Sequence, residues 1–312
     1  MSTVDLSHIG KAKSGGRPPL EEPLIVVALA KAWMAEYETA GHTQKPMSIA
    51  DRKYRASWTT SCDRQMYYLI TSTELSEPMT VADYWRFGMG SMVHDALEKS
   101  IASLFPDAEC EVAVDLRPIG LDGAATVDII VTIDGRKIVV EVKSINGYGF
   151  KMAVTSFRSP PEGPRYSAVV QGALAALAAD ADELRVGYLS LENLSPSMAL
   201  DYADEEGIGR FAAEWAFGRD EFEPVARHHV ARVNRIFALA EDGILPTRQL
   251  HDPFAYPAGA VIEDPMRKMW VVRNAKGKAT QTGTCWECDY CSFRTKCIDD
   301  KAGGATSTSQ VF

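Results

Sequence analysis

Two apolar runs, GAATVDIIVTI (residues 123–133) and RKIVVEVKS (residues 136–144), are separated only by Asp134-Gly135. Asp-Gly between strand-like segments signals a two-residue hairpin, because the turn that matches strand twist needs left-handed backbone at its centre. This hairpin constrains the fold more than any other feature. Its register places residue 128 opposite residue 141, and both positions hold an acid inserted into an otherwise apolar strand. Side chains alternate along a strand, so Glu141 and Lys143 share one face while Val140 and Val142 occupy the other.

An acid-x-Lys pattern is common, and this chain contains it at Asp51 and Lys53, at Glu141 and Lys143, and at Asp299 and Lys301. Only the middle example follows a buried strand. By itself it reads equally as an edge-strand ion pair or as a site of chemistry. Asp128 favours chemistry. Burying an ionised carboxylate costs several kcal/mol unless a metal or partner compensates, so two acids on paired strands call for a cation. A hard divalent ion such as Mg2+ or Mn2+ fits between them, and Lys143 alongside would hold an attacking water and ease its deprotonation. Such a grouping suits hydrolysis of a phosphodiester. His94, on the helical stretch GMGSMVHDALEKS, reads either as a satisfied core histidine or as an imidazole ligand that favours manganese.

A formal charge of -9 and a pI near 5.3 argue against coating nucleic acid through bulk positive charge, but leave room for a narrow basic groove. Lys45, Arg52, Lys53, Arg55 and Arg64 cluster near the front. Arg227, Arg232 and Arg235 recur on a predicted helix with His228 and His229, as a solvated face or as a track for phosphates. Hydrophobic content of 46% indicates a globular chain whose core needs no disulfides. No apolar run approaches the roughly 20 residues that span a bilayer, and the first 22 residues lack a signal peptide's apolar stretch. The expectation is a cytoplasmic protein without a membrane partner. Residues 1–22 and 301–312 read as disordered tails around one domain at 23–300, with its core at about 85–195.

Four of the six cysteines, Cys285, Cys288, Cys291 and Cys297, fall within thirteen residues. In a reducing compartment that spacing points to metal, as a tetrahedral zinc or as an iron-sulfur cluster. Cys62 stands far upstream and is either an ordinary buried thiol or a remote ligand that would leave Cys285 spare. Cys110 reads as a buried thiol.

Helical patterns fill residues 23–41, 81–105, 166–184 and 224–243. AECEVAVDLRP joins the hairpin as the first strand of an antiparallel meander, and LRVGYLSLE adds another strand. No repeat, heptad run or phosphate-binding P-loop occurs, so no ATP-driven motor is encoded here. The fold class is α/β: a mixed sheet with a central antiparallel meander, flanked by helices and joined to a Cys-rich subdomain.

These residues together resemble the PD-(D/E)XK nuclease superfamily, which has a restriction-endonuclease-like core, and specifically its RecB-like iron-sulfur branch. That branch includes CRISPR-associated exonucleases and AddB-type nuclease domains. The resemblance rests on Cys62 with Arg64, Gly90 with His94, Asp128, Glu141 with Lys143, Gln171, and Cys288, Cys291 and Cys297, in that order. It implies a Mg2+- or Mn2+-dependent deoxyribonuclease acting on single-stranded DNA ends. His94, Asp128, Glu141 and the main chain of Val142 would hold the metal, and Lys143, Gln171 and Tyr166 would assist catalysis. Arg55 and Arg64 would touch DNA. A structural 4Fe-4S cluster would be held by Cys62, Cys288, Cys291 and Cys297, with zinc and Cys285 as the alternative. A helicase, recombinase or CRISPR adaptation partner would be compatible, in repair, recombination, adaptation or phage replication. Ala125 and Ala175 replace the glycine and aromatic residue usual in the family and put fine substrate geometry in question. The competing reading is a catalytically inactive, metal-stapled DNA-binding module.

Overall fold

In the computed structural model the described residues are 54–58, 61–77, 80–154, 163–195, 208–246, 261–264, 269–284 and 291–300. The chain divides into two compact units, one of residues 1–43 with 80–88 and the other of residues 44–79 with 89–312. The sites below lie in the second. The helix expected at 23–41 lies outside the described residues, as do Cys285 and Cys288.

The hairpin forms as the turn chemistry requires. Strand β3 (Gly123–Ile133) and strand β4 (Arg136–Ile145) pair antiparallel from Ile133↔Arg136 to Ile129↔Val140, and the pairing ends one step short of the expected 128 and 141. Asp134 and Gly135 both take positive φ, 51° and 77°. Strand β2 (Glu109–Asp115) pairs antiparallel with β3 and completes the expected meander. Strand β5 (Glu183–Ser190) then adds to β4 in parallel, and strand β6 (Ala212–Gly218) pairs antiparallel with β5. Strand β1 (Tyr54–Arg55) runs parallel to the start of β3. Its close approach needs Gly123, where an added Cβ would stand 2.4 Å from the Tyr54 carbonyl oxygen. The result is a six-stranded mixed sheet. A separate three-stranded sheet, β7 (Val261–Asp264), β8 (Met269–Arg273) and β9 (Ala279–Thr284), was not foreseen from the sequence.

Helices of the described region are α1 (Asp63–Ile70), α2 (Val81–Leu104), α3 (Gly147–Val154), α4 (Tyr166–Ala178), α5 (Arg219–Glu241) and α6 (Arg294–Asp299). One sheet face packs on α4 and α5 through Val127, Val139, Leu184, Val186, Val170, Leu174, Phe222 and Val233. On the other face Ile129, Val131, Ile138 and Val142 meet Leu97 and Ile101 of α2. Strand alternation thus feeds both layers, which is why β4 reads as a nearly continuous apolar run. The alanine-rich sequence of α4 lets that helix settle deep against the sheet. At Gly172 a Cβ would meet Leu184 Cδ1 at 2.6 Å and Glu141 Cβ at 3.2 Å. Helix α5 begins at Arg219, five residues before the proline at which the helical pattern was expected to start. The Glu221 carboxylate accepts the Gly218 N–H at 2.8 Å and satisfies one of the orphan donors there.

Candidate active site

The site forms where β3 and β4 stop pairing. Beyond Ile129↔Val140 the Asp128 side chain takes over, its Oδ2 accepting the Val142 N–H at 2.6 Å. A carboxylate therefore occupies a place in the hairpin that a ladder bond would otherwise fill. Glu141, one residue back on β4, is 1% exposed and lies beneath α4 at Gly172. Lys143 is ion-paired with Glu141 Oε1, and its Nζ donates to Gln171 Oε1 at 3.3 Å. Three residues expected from the sequence, Glu141, Lys143 and Gln171, thus form one connected group on the α4 face.

Helix α2 supplies the histidine. A Cβ at Gly90 would stand 3.7 Å from Ser144 Oγ, so α2 crosses the end of β4 one turn before His94. His94 Nδ1 lies 3.5 Å from Asp128 Oδ1 and 3.7 Å from Glu111 Oε1. Glu111 was not anticipated. Ligand atoms of His94, Glu111 and Asp128 all lie within 4.8 Å of one another, and no other such group of three or more His, Cys, Asp or Glu occurs among the described residues. Two carboxylates and an imidazole converging this closely suit a hard divalent cation that tolerates one nitrogen donor.

Electrostatics support the same picture. Burial pushes the Glu141 carboxyl up to about 7; Lys143 opposes that rise, while Asp128 and Glu111 add to it. For Lys143, burial works against the charge, but Glu141 and Asp128 outweigh it and hold the amine above its ordinary value. Lys143 is therefore an ammonium, suited to orienting an oxygen by donation rather than to abstracting a proton.

Other expected residues sit elsewhere. Tyr166 Oη lies 3.0 Å from His229 Nε2, joining α4 to α5. Burial, with Arg232 and His228, pulls His229 down to about 4. Arg55 stacks over Trp58, with its guanidinium carbon 5.8 Å from the ring centroid. Arg64 was expected at DNA, yet it is fully buried. Its Nε donates to the Pro246 carbonyl at 3.0 Å and its guanidinium to the Cys297 carbonyl at 3.1 Å, so it faces the interior rather than a phosphate. The arginines of α5 are likewise engaged. Arg232 and Arg235 hold Asp63 at 2.7 and 2.5 Å, and Arg227 pairs with Glu223 one turn away.

Cys62 caps α1, its Sγ accepting the Gln65 N–H at 3.4 Å. Cys291 and Cys297 pack beside Tyr68, Leu69 and Phe293, where α1 meets the segment 291–300. The Arg64 guanidinium also donates to Cys297 Sγ at 3.7 Å. Front and end of the chain are joined here by further bonds from Ser76 and Glu77 main-chain N–H groups to the Ser292 carbonyl at 3.0 and 3.1 Å, and from Tyr68 to Asp300 at 2.7 Å. Cys291 and Cys297 thus share this junction, Cys62 stands at the N-terminus of α1, and Cys288 lies outside the described residues.

No helix among the described residues is long and apolar enough to cross a membrane. Neither a family model nor a curated protein matches this chain. Several solved structures resemble it at low identity. The structure of SSO0001 is 15% identical with a TM-score of 0.45, over 91% of this chain and 99% of that one. An alkaline exonuclease, LHK-Exo, from Laribacter hongkongensis is 12% identical with a TM-score of 0.42, over 68% and 93%. A phage-related exonuclease from Haemophilus somnus 129PT is 12% identical with a TM-score of 0.36, over 61% and 96%.

Proposed function

We propose that this chain is a metal-dependent nuclease that hydrolyses phosphodiester bonds of DNA, working from single-stranded ends. The observation that carries the reading is a pair of adjoining groups at the opening of the β3–β4 ladder, Asp128 with His94 and Glu141 with Lys143, linked along β4 by the Val142 N–H that Asp128 accepts. His94, Asp128, Glu141 and the main-chain carbonyl of Val142 would hold a divalent cation, which when bound supplies Lewis-acid stabilisation of charge on the phosphoryl oxygens. Lys143 donates to the incoming water, and its charge lowers the cost of forming hydroxide. Gln171 fixes the Lys143 amine by accepting from it. Glu141 keeps that amine charged, and Gly172 keeps α4 close enough for Gln171 to reach. Cys62, Cys288, Cys291 and Cys297 would ligate a structural 4Fe-4S cluster, with Arg64 donating to one sulfur.

The test is degradation of end-labelled single strands in Mn2+, beside a circular substrate that distinguishes attack on ends from internal cleavage. Lys143→Ala and Glu141→Gln are each expected to lower the rate by about 10²–10³-fold, the size of losing one stabilising group in a catalytic site. Undiminished cleavage by both variants, or intact strands with the parent protein, would reject the reading, and the second result would point to a DNA-binding module. For the cluster, protein purified without oxygen should be brown. A colourless protein carrying zinc, unaffected by Cys62→Ala, would assign the metal to the local cysteines instead.

A further inference from the structure

We propose that Glu111 is an additional ligand to the divalent cation, so that the centre presents three carboxylates and an imidazole. This inference rests on the metal-dependent reading of the His94–Asp128–Glu141 group and deepens it. Glu111 lies in the middle of β2, directly across from Asp128 of β3, between the pairs Cys110↔Ile129 and Val112↔Val127. At that position the backbone of β2 leaves the extended region, with φ of 49° at Glu111. A non-glycine residue in the left-handed region inside a strand is strained and persists only where the surroundings fix it. Glu111 Oε1 stands 3.7 Å from His94 Nδ1, on the side of the imidazole shared with Asp128 Oδ1.

A buried group supports the same conclusion independently. Glu141 Oε1 is buried and accepts no hydrogen bond of good geometry, although Lys143 lies against it. The Asp128 and Glu111 carboxylates converge beside His94 and repel one another, and a divalent ion between them turns the repulsion into attraction. The bland alternative is that Glu111 serves only as an ion-pair partner of a protonated His94. That role would stabilise the chain without metal, whereas a ligand destabilises the empty site and matters only when the ion binds.

The experiment is Mn2+ titration of the full-length protein by calorimetry, with melting temperature recorded without and with Mn2+, for the parent, Glu111→Gln, Glu111→Gly and Asp128→Asn. Glu111→Gln is expected to weaken Mn2+ at least about 10-fold, by analogy with the loss from disturbing a ligand's support. It should also shrink the Mn2+-induced rise in melting temperature while leaving the metal-free melting temperature equal or higher. Glu111→Gly, which suits the left-handed backbone, should show the same loss of affinity with a higher metal-free melting temperature. Parent-like affinity in both variants, with Asp128→Asn weakened, would overturn the inference and leave the metal-dependent reading standing. A fall in metal-free melting temperature for both variants, with the Mn2+-induced rise preserved, would make Glu111 a structural ion-pair residue and also overturn it. Failure of the parent to bind Mn2+ would remove both.

Discussion

Two regions of this molecule bury acids and treat them in opposite ways. At the junction of α1 with α5, Asp63 is almost wholly enclosed, yet Arg232 and Arg235 bond its two oxygens separately, and Arg232 also reaches the Ser61 carbonyl at 2.6 Å. Next to it, Arg64 is satisfied by two main-chain carbonyls. At the β3–β4 opening, Asp128 and Glu111 converge on His94, and the adjoining Glu141 is in contact with Lys143. In the first region charge is neutralised and serves as a staple. In the second, like charges are brought together on one imidazole, which costs stability and creates affinity for a cation. Burial alone therefore says little about what an acid does; the count and sign of its neighbours decide.

The largest expected effect tests the staple. Asp63→Ala leaves Arg232 enclosed without its partner and should lower unfolding free energy by about 3–5 kcal/mol in urea titrations. A loss below about 1 kcal/mol would mean that the two arginines find other acceptors, and the contrast between the regions would collapse. Next in size is a buried base that the fold keeps neutral. The folded chain holds His229 at about 4, below its ordinary 6.5, so the unfolded chain binds more protons between those values. Stability from this residue is complete above pH 6.5 and drains away as pH falls toward 4, by about 2 kcal/mol after allowing for solvent screening. The denaturation midpoint should fall over that window, and His229→Gln should flatten the profile. The smallest effect has the opposite sign. Asp128→Asn keeps an oxygen for the Val142 N–H while removing one like charge, so without metal it should leave stability unchanged or raise it by up to about 1 kcal/mol. A clear destabilisation in calcium- and magnesium-free buffer would show that the acid cluster is a structural network after all.

The contrast also explains what could be read from the sequence. Asp134-Gly135 and the period-two pattern are local signals, and together they locate Asp128 and Glu141 next to the last pair of one hairpin, Ile129↔Val140. Lys143 follows from the same alternation, whereas Gln171 was marked only by the motif resemblance, and its bond to Lys143 depends on how α4 packs on the sheet. Glu111 gave no such signal. It sits in ECEVAVD, where acids at exposed positions of an alternating strand are ordinary, and only its backbone angle marks it out. Arg232 and Arg64 were equally opaque, because a cationic helix face looks the same whether it meets solvent, phosphate or an aspartate 169 residues away. Strand β6 was missed for a related reason. AAEWAFG has little alternation of its own and is defined by its pairing with β5.

Hydrogen bonds between residues 68–77 and 292–300 have a kinetic side. Closing a loop of more than 200 residues is an entropic hurdle that comes late, and during synthesis α1 leaves the ribosome long before its counterpart exists. Until residues 291–300 arrive, Tyr68 and Leu69 lack their cover from Phe293, and Arg64 lacks one of its two carbonyl acceptors. The junction thus works as a seal that closes only once residues 291–300 have been made, and shorter nascent chains stay open there.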